Sequence, residues 1–170
     1  MKRSLSTILI LICAMILTMP CSAESEQTTT IPVTLTVINT VKNIDVTMPA
    51  ALPVSVLDGK VMTADNVSIT NNSTKIGIEI ASIAIENAAY TVESYDNFPN
   101  NSRQKIGMQI NGCSTTGPGL LTLNNTSFPI VKPLESLPIN YKAKVSDSNN
   151  VSSLKVASVI FTLRAVGVEE

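Results

Sequence analysis

Apolar and polar residues alternate along most of this chain beyond residue 30, which is the pattern of half-buried β-strands. The clearest stretch is residues 105–110, where Ile106, Met108 and Ile110 alternate with small or polar residues. Further runs with the same period are residues 31–37, 41–48, 75–85, 137–145 and 154–166. The last run is apolar on both faces, which is typical of a central strand.

Turn-forming residues separate these runs. Asp58-Gly59 lies between residues 52–57 and 60–62 and predicts a tight hairpin. Prolines such as Pro53 and Pro138 are expected at strand ends, where a missing backbone donor is tolerated. We therefore expect an all-β fold with about eight to ten short strands, namely an antiparallel, Greek-key β-sandwich of Ig-like or jelly-roll-like type. A β-barrel is the alternative.

The first residues have the layout of a secretory signal peptide. Lys2 and Arg3 precede an apolar stretch over residues 5–19, and the small residue Ala23 ends a short segment of cleavage-site type. We predict a signal peptide over residues 1–23, a flexible leader over 24–30 and one domain over 31–170. The alternatives are an uncleaved anchor and a lipoprotein acylated at Cys21. The protein is thus expected to be secreted to the cell surface, with membrane contact only before cleavage.

Composition narrows the function. Of 170 residues, 44% are hydrophobic and 15% charged, and the net charge is −1. This balance is unlike that of a disordered chain and lacks the basic surface expected of a nucleic-acid binder. The absence of histidine excludes histidine triads and histidine-ligated zinc sites.

Other chemical sites are weakly indicated. Glu79, Glu86 and Glu93 offer a carboxylate pair of the kind glycoside hydrolases use, and oxygen-rich loops at 93–97 and 146–150 offer calcium ligands. Solvated side chains and ordinary polar loops explain these residues better. We expect no catalytic activity, no metal and no cofactor.

Several segments, in a shared order, carry a family resemblance: residues 44–49, 52–56, 58–61, 69–73, 106–112, 137–143 and 156–162. In this order the chain resembles, over about residues 41–166, a poorly characterised β-sandwich domain of secreted and surface proteins of Firmicutes, especially clostridia. In outline it is also similar to camelysin and to the fibre proteins of biofilm matrices. The resemblance implies surface structure or adhesion in a Gram-positive bacterium, and implies no active-site residues.

Three features are candidates for interaction. The strand from Thr28 to Ile38 follows the leader and could be donated to a neighbouring copy, which predicts self-association; the alternative is pairing within its own sheet. Cys113 is the one cysteine left after signal cleavage and is a candidate intermolecular thiol. Tyr90, Tyr95 and Phe98 form a candidate ligand loop, because aromatic rings stack on sugars. The resulting functions are a structural or adhesive surface module and, as the alternative, a module that binds glycans or cell-wall polymers.

Overall fold

The computed structural model describes residues 29–39, 44–57, 59–99, 103–146 and 155–167. The predicted signal peptide, most of the leader and the loop at 147–150 lie outside the described residues. In chain order the strands are β1 (Thr29–Asn39), β2 (Val46–Thr47), β3 (Ala51–Leu57), β4 (Lys60–Thr63), β5 (Ser68–Asn71), β6 (Gly77–Asn87), β7 (Thr91–Val92), β8 (Lys105–Ile110), β9 (Cys113–Ser114), β10 (Gly119–Leu120), β11 (Ser136–Pro138), β12 (Tyr141–Val145) and β13 (Ala157–Val166).

These strands form three sheets. The largest has six strands in the order β10-β6-β13-β1-β3-β4, and it is antiparallel except where β1 and β13 run parallel. A second sheet has the order β11-β5-β2. The third contains β12, β8 and β7, with β9 also paired to β8. The chain is therefore all-β, as predicted, and the described residues contain no helix that could cross a membrane.

The predicted alternation is confirmed where one face of a strand is buried. In β3, Leu52, Val54 and Val56 are buried and their neighbours are half-buried. β13 lies between β6 and β1 and is buried on both faces over Ala157–Val159, which confirms it as a central strand. The hairpin at residues 58–59 is also confirmed, since Leu57 pairs with Lys60 and Gly59 has a φ of 74°.

Two expectations need correction. Residues 137–145 are not one strand: β11 pairs with β5 and β12 pairs with β8, so the chain changes sheet between Pro138 and Tyr141. Thr29 and Thr30 belong to β1, which agrees with the strand predicted from Thr28 to Ile38. The described strands also number thirteen, more than about eight to ten, because four of them are two-residue pieces.

One cluster of buried side chains connects the three sheets. It includes Leu52 and Phe161 from the six-stranded sheet, Ile69 from β5, and Met108 and Ile110 from β8. These residues are all less than 2% exposed. The sheets therefore share a continuous apolar core, and what distinguishes their surfaces is the polar chemistry at their ends and edges.

Candidate functional site

β1 has a special position in the six-stranded sheet. Its first half pairs antiparallel with β3, from Thr29 opposite Val56 to Thr34 opposite Ala51. Its second half pairs parallel with β13, from Thr34 opposite Ser158 to Asn39 opposite Leu163. No other described strand links β3 to β13. The strand that the sequence marks as a donor thus joins β3–β4 to β13–β6–β10.

A pair of prolines lies within the first half of β1's pairing. Pro32 is opposite Pro53 of β3. Pro53 stands inside β3 rather than at its end, which differs from the expectation for this proline. Proline has no N–H to donate. The described pairing between β3 and β4 covers Val54 to Leu57 and does not extend to Pro53. At this position a side chain from a distant strand connects the backbone of Pro53 with that of Ala64.

That side chain is Tyr141 of β12. Its hydroxyl donates to the carbonyl of Pro53 at 2.5 Å and accepts from the N–H of Ala64 at 3.1 Å. Tyr141 is buried at 4% exposure, and burial raises the pKa of its phenol above the usual 10.0. The Ala64 N–H opposes this increase in pKa, and the Asp65 carboxylate adds to it. The hydroxyl therefore fixes β12 to the end of the β3–β4 ladder.

The candidate ligand loop lies flat against the third sheet. Tyr90 is 1% exposed and is part of the core, whereas Tyr95 and Phe98 are half-buried. The Lys144 ammonium lies 4.5 Å from the Tyr95 ring centroid and donates to the Tyr95 carbonyl at 2.7 Å. The three aromatic rings therefore do not form one exposed platform for a sugar.

Gly107 of β8 makes this close approach of the loop possible. A Cβ at this position would lie 3.0 Å from both the Phe98 ring and the Tyr95 Cα. An ion pair between Lys105 and Glu93, 2.6 Å long, fixes the start of the loop. Glu93, which the sequence offers as a carboxylate for catalysis or calcium, has a cationic partner in the structure.

Cys113 begins β9 and is 5% exposed. Its sulfur lies 3.9 Å from the side-chain amide nitrogen of Asn124, within the described part of the structure. The candidate thiol is therefore in the core, and an intermolecular disulfide would require this edge of the sheet to open. Among the described residues, no group of three or more His, Cys, Asp or Glu side chains could hold a metal ion.

A groove that the sequence did not suggest opens beside Asn111. Asn111 and Gly112, with φ of 44° and 83°, form the two-residue turn between β8 and β9, because Ile110 pairs with Cys113. The Asn111 side chain accepts from the Asn140 N–H at 2.7 Å and donates to the carbonyls of Ser127 and Pro138. One amide thus holds together the three segments that surround the groove.

The groove, named here the Asn111 groove, has a volume of about 560 Å³. Its floor and rim include Leu137, Pro138 and Pro129, and its polar groups include Gln109, Asn140 and Lys142. The Asn-Gly dipeptide at 111–112 is a sequence signal for the hairpin. No local signal shows that segments 16 and 27 residues distant meet at its tip.

Comparison of the chain with protein-family models, with curated proteins and with solved structures finds no match.

Proposed function

We propose that this protein is a non-catalytic structural or adhesive module of the bacterial surface, built as a β-sandwich and assembled by exchange of β1 between copies. The observation that carries the proposal is that β1 alone, among the described strands, connects β3 to β13. The sandwich architecture is supported by the core that all three sheets share. Secretion is supported by the sequence pattern of residues 1–23.

Removal of β1 would expose backbone donors and acceptors along both β3 and β13. Unpaired strand edges readily accept an added strand, and a second copy's β1 supplies the same registers as the original. Exchange therefore replaces each contact within a chain by an identical contact between chains. Because the donating strand and the accepting edges are different surfaces, the contact is head-to-tail and propagates into a fibre unless a ring closes.

The proposed exchange would separate β1 from β2, the next strand along the chain. β1 ends at Asn39, and β2 begins at Val46, so few residues connect the two strands. In the exchanged form this connection would lead from one copy into the next. Intramolecular pairing is favoured in dilute solution and exchange at high concentration, because only exchange consumes a second molecule.

The test is the molar mass of residues 24–170, measured by size-exclusion chromatography with light scattering, fresh and after ageing at high concentration. A matched variant locks β1 in place: Thr30→Cys with Ser55→Cys, in a Cys113→Ser background. Thr30 and Ser55 are opposite each other in the β1–β3 register, where a disulfide is within reach.

We expect the unlocked protein to form high-mass species with age, and the variant oxidised as a monomer to remain monomeric. The same variant kept reduced is the control and should assemble like the unlocked protein. A protein that stays monomeric at every concentration, or a locked variant that assembles equally well, contradicts the proposal.

A further inference from the structure

The Asn111 groove contains polar groups that the fold does not use. The Lys142 ammonium is exposed and makes no ion pair with a described residue. The side-chain amide nitrogen of Gln109 donates to the Ser114 hydroxyl at 3.1 Å, while the side-chain carbonyl of Gln109 has no described hydrogen-bond partner. The Asn140 side chain likewise has no described hydrogen-bond partner, because Asn111 contacts only its backbone: the Asn140 N–H donates to the Asn111 side chain and the Asn140 carbonyl accepts from the Asn111 N–H. Lys142 and Gln109 are directly opposite each other on β12 and β8.

The charge of the groove differs from that of the chain. The whole sequence has a net charge of −1, and loss of Lys2 and Arg3 with a signal peptide would make it more acidic. The described residues that line the groove include Lys142 and no carboxylate. An anionic ligand would therefore meet one cation and no carboxylate among the described lining residues, although the Asp96 carboxylate accepts from Ser114, the hydrogen-bond partner of Gln109.

The uncharged residues that line the groove indicate which other chemical groups the ligand would have. Primary amides and the Thr126 hydroxyl can both donate and accept hydrogen bonds, which matches the hydroxyl groups of a sugar. Pro129 and Pro138 are exposed and offer apolar C–H surface beside these groups. Asn111 fixes the surrounding segments in advance, so that binding need not order them.

We propose that the Asn111 groove binds an acidic oligosaccharide, with Lys142 receiving a carboxylate and Gln109 and Asn140 receiving hydroxyl groups. This site goes beyond the proposed assembly, because none of the described residues that line the groove belongs to β1. An assembled fibre would then present one such groove per copy, and weak individual sites would add up along it.

The test is an NMR titration of the ¹⁵N-labelled protein with an oligogalacturonate of four sugars, with maltotetraose as the neutral control. We expect saturable shifts at the backbone amides of Gln109, Asn140 and Lys142. Lys142→Gln should weaken binding about tenfold, as loss of one charge-assisted hydrogen bond predicts. Added salt should weaken binding in the same direction.

Lys155→Gln is the matched control. Lys155 is exposed and its carbonyl accepts from Ala89, near the end of β8 that is opposite the groove. Unchanged spectra of both variants without ligand would show that the fold is intact. Absence of groove shifts, equal loss of affinity in the two variants, or equal binding of maltotetraose would each overturn the proposal. Binding of tetraglutamate in place of the saccharide would assign the groove to an acidic peptide and would also overturn it.

The two proposals fail separately. Loss of saccharide binding in Lys142→Gln leaves the light-scattering experiment unaffected, because Lys142 is not in contact with β1 in the strand pairing. A locked monomer should bind the saccharide as the unlocked protein does.

Discussion

Replacement of Tyr141 by phenylalanine tests how the sheets are held together. The substitution keeps the buried ring and removes the hydroxyl that bridges the Pro53 carbonyl and the Ala64 N–H. Each hydrogen bond contributes about 0.5–1.5 kcal/mol net, so we expect the free energy of unfolding to fall by about 1–3 kcal/mol. The loss should lie in the upper part of this range if no water molecule hydrogen-bonds to the Pro53 carbonyl and the Ala64 N–H after the substitution.

Urea unfolding followed by far-ultraviolet circular dichroism measures this loss, and is suitable because the chain has no tryptophan. Tyr95→Phe is the matched control: the Tyr95 hydroxyl has no described hydrogen-bond partner, and the ring contact with Lys144 is retained. We expect the control to change stability by less than about 0.5 kcal/mol. Equal stability of the two variants would refute the bridging role of Tyr141.

The raised pKa of Tyr141 gives the same residue a pH signature. A phenol whose pKa is higher in the folded state than in the unfolded state favours folding only while it is protonated. Its contribution is therefore complete below the usual tyrosine pKa of 10.0 and is lost as pH increases through the raised value. Stability should fall less steeply above pH 10.0 in Tyr141→Phe than in the unmodified protein. Parallel curves for the two proteins would contradict the assignment.

Three further predictions concern the packing around the sites. Gly107→Ala should destabilise the protein by about 1–3 kcal/mol in urea, because its Cβ would meet the loop at 3.0 Å, whereas Gly167→Ala, which meets nothing within 4 Å, should not; equal effects would refute the close approach. Asn71→Ala should cost about 1–3 kcal/mol by the same assay, since the buried Asn71 amide donates to the carbonyls of Ile76, Val131 and Lys132, and a neutral result would contradict this. The Cys113 thiol should react with Ellman's reagent much more slowly in the native protein than in urea, and an equal rate would show that the thiol is accessible.

Local pattern predicted most of the strands because burial of one face imposes a period of two. β3, β8 and β13 follow it closely. The same period hides the change of sheet between β11 and β12, because Leu137, Ile139 and Tyr141 are all buried while the strands on either side of Asn140 pair with different partners. Alternation shows which side chains are buried, but it does not show which neighbouring strand forms the backbone hydrogen bonds.

The sites depend on contacts that are distant in sequence. Tyr141 meets Pro53 across 88 residues, and Asn111 meets Pro138 across 27. The aromatic residues make the loop a candidate ligand site, but Gly107 allows Phe98 and Tyr95 to pack onto β8. The Asn111 groove had no counterpart in the sequence, because its polar groups come from segments that become neighbours only after folding.

Exchange of β1 can be tested most directly by mixing two single-cysteine proteins made of residues 24–170 in a Cys113→Ser background, one with Thr30→Cys and the other with Ser55→Cys. The two positions are opposite each other only where β1 lies beside β3. If β1 is exchanged, ageing the mixture at high concentration and then oxidising it gives a covalent heterodimer on non-reducing electrophoresis, and neither chain alone gives a comparable yield. High-mass species that contain no such heterodimer would contradict the account.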